Sequence, residues 1–185
     1  MSALFIGRFQ PFHLGHLDAI KQALAELKKP RIQKSAQLFI VIGSAQENHT
    51  PQNPLTSGER IQMIQAALDE AKIPRTKYLI IPIPDINNNK LWPSHVEKYL
   101  PPFHKIFTGS EIIKTLFKNE NKSRKNPWEI IEIKKNLKIS STIVREKMLK
   151  NKNWEELTPK SVAKLLKRWS SHKRLKSINK SLTSK

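Results

Sequence analysis

Residues 3–16 read Ala3-Leu4-Phe5-Ile6-Gly7-Arg8-Phe9-Gln10-Pro11-Phe12-His13-Leu14-Gly15-His16, and this stretch decides the fold. Four apolar residues running into a glycine predict a short buried strand. A turn, Arg8 to Gly15, follows; Leu14, Leu17, Ile20, Leu24 and Leu27 then recur at helical spacing, with a stop expected before Pro30. Outward from this unit the pattern repeats. Leu38 to Ile42, ahead of Gly43, predicts a second strand, and Gly58 to Lys72 a second helix with Ile61, Ile64 and Leu68 inward. Tyr78 to Ile83 predicts a third strand, Trp92 to Leu100 a short helix, Lys105 to Thr108 a fourth strand and Trp128 to Ile133 a fifth. Strands alternating with helices predict an α/β fold, a parallel sheet with helices on both faces.

In such sheets ligands bind beyond the carboxyl ends of the strands. Gly7, Gly15, Gly43 and Gly109, four of the five glycines, fall at or just after those ends. Their shared position favours a site over ordinary turns. From Ser140 the sequence reads as a C-terminal helical module. Ser141 and Thr142 are candidate caps for a helix carrying Ile143, Val144, Met148 and Leu149, and residues 154–169 follow with Trp154, Leu157, Val162, Leu165, Leu166 and Trp169. Residues 1–139 thus read as the sheet core, 140–169 as the helical module and 170–185 as a basic tail. Leu175, Ile178 and Leu182 keep a helix-like spacing in that tail, but its composition favours disorder in isolation.

Composition removes several functions. With no Cys there are no disulfides, no thiolate nucleophile and no Cys-based metal centre. No apolar run approaches the length of a bilayer span, about 20 residues, and no basic leader precedes Ala3, so a cytoplasmic protein without a membrane partner is expected. The 185 residues hold 34 Lys+Arg against 15 Asp+Glu, a formal charge of +19. Residues 1–100 contain 12 basic and 8 acidic side chains, residues 101–185 contain 22 and 7. A surplus of this kind suits polyanionic ligands, and nucleic acid is one candidate through the tail.

Two constellations carry chemistry. In the first, His13 and His16 stand three apart at a helix start, where unpaired amides and the helix dipole attract anions. Arg8 adds a permanent cation able to fork phosphate oxygens, and the turn suits a polyphosphate. A two-histidine metal site and histidines that merely cap the turn are the competing readings. The second is Ile139-Ser140-Ser141-Thr142-Ile143-Val144-Arg145, with hydroxyls at a helix start and an arginine one turn on. Taken alone it is an ordinary N-cap. Together, two anion-binding helix starts are suited to gripping the two ends of a triphosphate.

These two motifs resemble the HxGH and ISSTxxR signatures of the nucleotidylyltransferase superfamily. The Gly-Arg-Phe-Gln-Pro form of the first resembles the archaeal-type nicotinamide-nucleotide adenylyltransferases. Gly43-Ser44-Ala45-Gln46, His49-Thr50, Asn53-Pro54, Gly58-Glu59-Arg60-Ile61, Asp85-Ile86 with Asn89 and Trp92, Tyr99 to Phe103 and Trp154 to Lys160 are also similar, so the resemblance spans residues 3 to about 167. It implies a Rossmann-like sheet and a reaction of ATP with nicotinamide mononucleotide that gives NAD and pyrophosphate. It also implies a magnesium ion bound mainly through phosphate oxygens, and a homo-oligomer, commonly a hexamer. By this resemblance Gly7, Arg8, His13, His16, Ser141, Thr142 and Arg145 contact ATP phosphates, with Arg8, His13, His16 and Arg145 catalytic, and Gly109 and Ser110 lie beside the adenosine. Gly43, Ser44, Gln46, Arg60, Asp85, Asn89 and Trp92 fall to the mononucleotide: Arg60 at a phosphate, Trp92 stacked on the pyridinium, Asn89 on the carboxamide and Asp85 orienting the loop. No protein metal ligand is expected. Nicotinate mononucleotide and phosphopantetheine remain competing acceptors, and a basic nucleic-acid-binding protein on a nucleotide fold remains the competing class. No room is expected for the fused Nudix hydrolase domain of some bifunctional relatives.

Overall fold

The computed structural model describes residues 2–28 and 36–183. The expected stop at Pro30 and the side chain of Leu182 lie outside the described residues. Five strands, β1 (Ala3–Gly7), β2 (Leu38–Ile42), β3 (Tyr78–Pro82), β4 (Lys105–Thr108) and β5 (Glu129–Glu132), form one parallel sheet in the order β3-β2-β1-β4-β5. The helices are α1 (Leu14–Leu27), α2 (Ser57–Glu70), α3 (Trp92–Lys98), α4 (Glu111–Asn121), α5 (Ser141–Leu149), α6 (Lys160–Arg168) and α7 (Ser171–Thr183). The parallel, Rossmann-like sheet is the one expected. Its order reverses beside β1, so the switch point where such sheets bind ligands opens past Gly7 and past the end of β4.

Strands β1 and β2 read as unbroken apolar runs because both faces of the sheet are buried at its centre. Leu4, Phe39 and Ile106 are in register and line one face. They pack in one cluster with Trp92 and Val96 of α3, Phe117 of α4, and Phe103 and Trp128. Phe5, Ile40 and Phe107 line the other face and are equally buried. The right-handed rule for parallel crossovers puts α1 on the face opposite α3 and α4.

Two compact units emerge, and neither is continuous in sequence. The first comprises Met1–Gly7, Ala19–Ser44 and Pro74–Lys135 and holds the sheet. The second comprises Arg8–Asp18, Ala45–Ile73 and Asn136–Lys185. Packing therefore groups the turn after β1 and residues 45–73 with residues 136–185.

Three local readings change. Helix α4 adds to the expected elements, with Ser110 as its cap and Ile113, Leu116 and Phe117 at helical spacing. Residues 154–169 are a 3-10 turn, Glu155–Leu157, followed by α6, whose first amides are accepted by the Glu70 carboxylate (Lys160 N 3.3 Å, Ser161 N 2.7 Å). The tail expected to be disordered is α7, with Leu175 buried.

Candidate active site

In the second unit the turn between β1 and α1 is shaped by its own side chains. Phe9 takes a left-handed backbone, φ 52°, and Gln10-Pro11 is cis. Phe9 and Phe12 are buried and flank the His16 ring, at centroid separations of 4.8 and 5.4 Å. The His13 and His16 rings stack at 3.7 Å. Gly15 leaves this stacking unstrained: a Cβ there would stand 3.0 Å from His13 Cε1 and Nδ1, and the ring would have to shift. Both imidazoles are held neutral at physiological pH. Burial lowers the pKa of His13 to about 4. Burial, with the like charge of His13 second, drives that of His16 well below the ordinary value. The His13 amide donates to His16 Nδ1 at 3.3 Å, so the neutral His16 ring carries its proton on Nε2 and is a donor there. His13 Nδ1 is buried with no hydrogen-bond partner.

Helix α5 braces this turn directly. Ser141 Oγ donates to Pro11 O at 3.0 Å, and Arg145 Nη1 donates to Gln10 O at 2.7 Å. Arg145 Nη2 also reaches Thr142 Oγ1 at 3.3 Å. Burial, then the nearby charge of Arg8, lowers the pKa of Arg145 from its ordinary value. Arg8 itself is exposed. The expected cap is corrected: Ser140, not Ser141 or Thr142, caps α5 by accepting from Ile143 N at 3.2 Å. Ser141 is thereby free to hold the turn, while Thr142 is exposed.

Gln10, within the same motif, has a structural role. It is buried, and its amide exchanges two 2.9 Å hydrogen bonds with the backbone N–H and C=O of Leu55. Arg60, expected at a substrate phosphate, is fully buried instead. Its guanidinium donates to the carbonyls of Thr56 (3.3 Å), Arg8 (3.3 Å), Ala45 (3.1 Å) and Glu47 (3.3 Å). Burial lowers its pKa to about 10, against the raising influence of Glu47. A buried cation must be saturated with hydrogen bonds, and here the loop backbones supply them. Gln46 is exposed nearby in the chain, its carbonyl accepting from Asn48 Nδ2 at 3.1 Å.

In the first unit, Gly43 follows β2, and Ser44 takes a left-handed φ of 48°. Ser44 Oγ donates to Asp85 Oδ2 at 3.2 Å, and Asp85 Oδ1 accepts from Asn87 N at 3.0 Å. Asp85 therefore orients its loop by joining two strand ends. Trp92 belongs to the apolar core, 7% exposed, with an edge of its ring 3.9 Å from where a Gly43 Cβ would sit. Asn89 is exposed, and its neighbour Asn88 makes the local turn bonds to Lys90 N and Leu91 N. Past β4, Ser110 caps α4 and its amide donates to the buried Thr108 hydroxyl at 3.0 Å. A Cβ on Gly109 would lie 3.2 Å from Lys135 Cε. Among the described residues no three His, Asp or Glu side chains gather as a metal cage.

Residues 4–147 match the family described as cytidylyltransferase-like. The nicotinamide-nucleotide adenylyltransferase of Thermococcus sibiricus is 39% identical over 96% of this chain and 89% of its own length. That of Archaeoglobus fulgidus is 40% identical over 97% of this chain and 98% of its own. The chain belongs to the nicotinamide-nucleotide adenylyltransferase family. Among solved structures, a bifunctional NMN adenylyltransferase/ADP ribose pyrophosphatase from Francisella tularensis matches with TM-score 0.77 at 23% identity. It shares the fold over 99% of this chain, which spans only 54% of that longer protein. The same bifunctional protein complexed with AMP and a manganese ion matches at TM-score 0.74 and 24% identity. Within the adenylyltransferase family, then, the HxGH turn is held here by the very helix start that bears Ser141 and Arg145.

Proposed function

We propose that the protein transfers the adenylyl group of ATP to nicotinamide mononucleotide, giving NAD and pyrophosphate. One observation carries the reading: the His13–His16 turn and the first turn of α5 are joined by Ser141 and Arg145, so two anion-attracting helix starts act as one body. In the reaction an oxygen of the mononucleotide phosphate bonds to the α-phosphorus of ATP. The α–β phosphoanhydride breaks, and pyrophosphate leaves with the electron pair. The nucleophile is ionised at neutral pH, so no general base is needed, and catalysis consists of in-line positioning and charge stabilisation.

In the second unit, Arg8, Arg145 and the neutral donor Nε2–H of His16 suit the triphosphate, with His13 Nδ1, Ser141 and Thr142 completing its contacts. The two arginines bring charge, while the histidines bring uncharged hydrogen bonds whose direction is fixed. Arg60 and Gln10 hold the loops and do not touch substrate in this reading. In the first unit, Gly7, Gly109 and Ser110 border the nucleotide. Gly43, Ser44, Asp85, Asn89 and Trp92 serve the mononucleotide, as does Gln46. A divalent cation, magnesium in this reading, enters with ATP on phosphate oxygens and water and offsets the phosphate charge. The reading also places the protein in the cytoplasm as a homo-oligomer, a hexamer by resemblance, which sedimentation of the purified protein checks.

The test is pyrophosphate release from ATP with nicotinamide mononucleotide, nicotinate mononucleotide and phosphopantetheine assayed side by side. The nicotinamide substrate is expected to give the highest kcat/KM; a faster rate with another acceptor overturns the assignment. His16→Ala should lower kcat by about 10²–10³, the loss typical of one transition-state donor, with an unchanged circular dichroism spectrum. Wild-type turnover in that variant removes His16 from the mechanism.

A further inference from the structure

The C-terminal helix α7 is anchored to the segment that holds the nucleotide turn. Arg174 forks the Glu59 carboxylate, Nη1 to Oε2 at 2.7 Å and Nη2 to Oε1 at 2.8 Å, and Nη1 also donates to Pro54 O at 3.3 Å. Glu59 is not an isolated surface charge. Its Oε2 accepts from Thr56 N at 2.9 Å, and Thr56 Oγ1 accepts from Glu59 N at 3.2 Å, a capping box that fixes where α2 begins. Burial alone would raise the Glu59 pKa, yet the bonds from Arg174 and Thr56 hold it below its ordinary value. Between Pro54 and Thr56 lies Leu55, whose N–H and C=O are both bonded to the Gln10 amide. Gln10 O in turn accepts from Arg145. Beside this chain of bonds, Leu175 lines a small cavity together with Pro11, Leu55, Arg145 and Met148.

We propose, resting on the reading above that the His13–His16 turn binds ATP phosphates, that Arg174 is a positioning residue for that turn. It pins Pro54–Thr56 through Glu59 and the Pro54 carbonyl, and the pinned Leu55 backbone fixes Gln10 and with it the turn. The route has few links: hydrogen bonds join Arg174 to Glu59 and Pro54, Glu59 to Thr56 and Leu55 to Gln10, and peptide bonds join Pro54, Leu55 and Thr56. Guanidinium geometry is essential at its start, since one planar fork must satisfy two carboxylate oxygens and a carbonyl together; an ammonium group cannot match that arrangement. The helix at the end of the chain thus acts on substrate binding from residues that touch no substrate.

The test uses the full chain and measures ATP affinity by titration calorimetry alongside kcat and KM. Arg174→Met should weaken ATP binding about tenfold, equivalent to one well-formed charged bond, and change kcat less. Arg174→Lys should recover only part of the loss. Glu59→Gln, which keeps an oxygen for the capping box and is a second route should Arg174→Met fold poorly, should act in the same direction. A double-mutant cycle separates positioning from general stability: once Gln10→Leu has freed the turn, Arg174→Met should cost almost nothing further in affinity. The proposal is overturned if Arg174→Met and Glu59→Gln both leave ATP affinity within about twofold of wild type, or if the Arg174 and Gln10 effects multiply in full. A wild-type protein that binds ATP but transfers adenylate to none of the acceptors would refute the assigned reaction, and the affinity arm of this test would still stand.

Discussion

At the residue scale, His13 shows most clearly how packing changes chemistry. Its position three residues before His16 was visible in the sequence, but its neutrality was not. The stacked ring, with Gly15 beneath it and Phe12 next in the chain, loses water, and the charged form is disfavoured. The folded pKa of about 4 lies below the unfolded value, near 6.5. Between these values the unfolded chain binds a proton that the folded chain does not, so stability falls as pH drops through that window and is flat above it. The shift corresponds to about 3 kcal/mol by pH 4. Urea unfolding at pH 7, 5.5 and 4 should show His13→Gln losing less stability on acidification than wild type by roughly this amount; parallel pH profiles would refute the assigned shift. Arg60 teaches the converse. Its sequence context, a basic residue at a helix start, reads equally well as a phosphate ligand, and only its complete burial against four carbonyls shows that its donors are occupied.

At the element scale, β1 and β2 are legible because strands buried on both faces are continuous apolar runs. Helix α4 is legible too, since Ser110 and Glu111 mark its start and Ile113, Leu116 and Phe117 keep helical spacing. The start of α5 was legible as a helix but not in its capping register. Three consecutive hydroxyl residues, Ser140, Ser141 and Thr142, can each cap, and the tertiary bond from Ser141 to Pro11 decides which one does. Ser140→Ala should therefore destabilise the protein by about 1 kcal/mol, the usual cost of a lost N-cap, seen as a lower denaturant midpoint. The same change at Thr142, which is exposed, should cost much less.

At the scale of the whole molecule, a formal charge of +19 suits the polyanion ATP of the proposed reaction. Raising salt from about 0.1 to 1 M shortens the screening length from about 10 to 3 Å, so the KM for ATP should rise several-fold while kcat changes less. A KM indifferent to salt would show that the surplus charge does not serve substrate capture. The tail contributes to that charge, yet it is also architecture: α7 buries Leu175 and commits Arg174 to Glu59. Sequence alone determined the α/β class, the alternation of strands and helices and the family, because periodicity, strand-end glycines and two short motifs are local properties of the chain. Tertiary structure alone decided which polar groups remain available. Arg60, Gln10, Ser141 and Arg174 each find partners 45 or more positions away, or, for Arg60, in two other loops as well as its own helix. Whether a cation or amide meets substrate or backbone depends on those distant partners, and no local pattern encodes them.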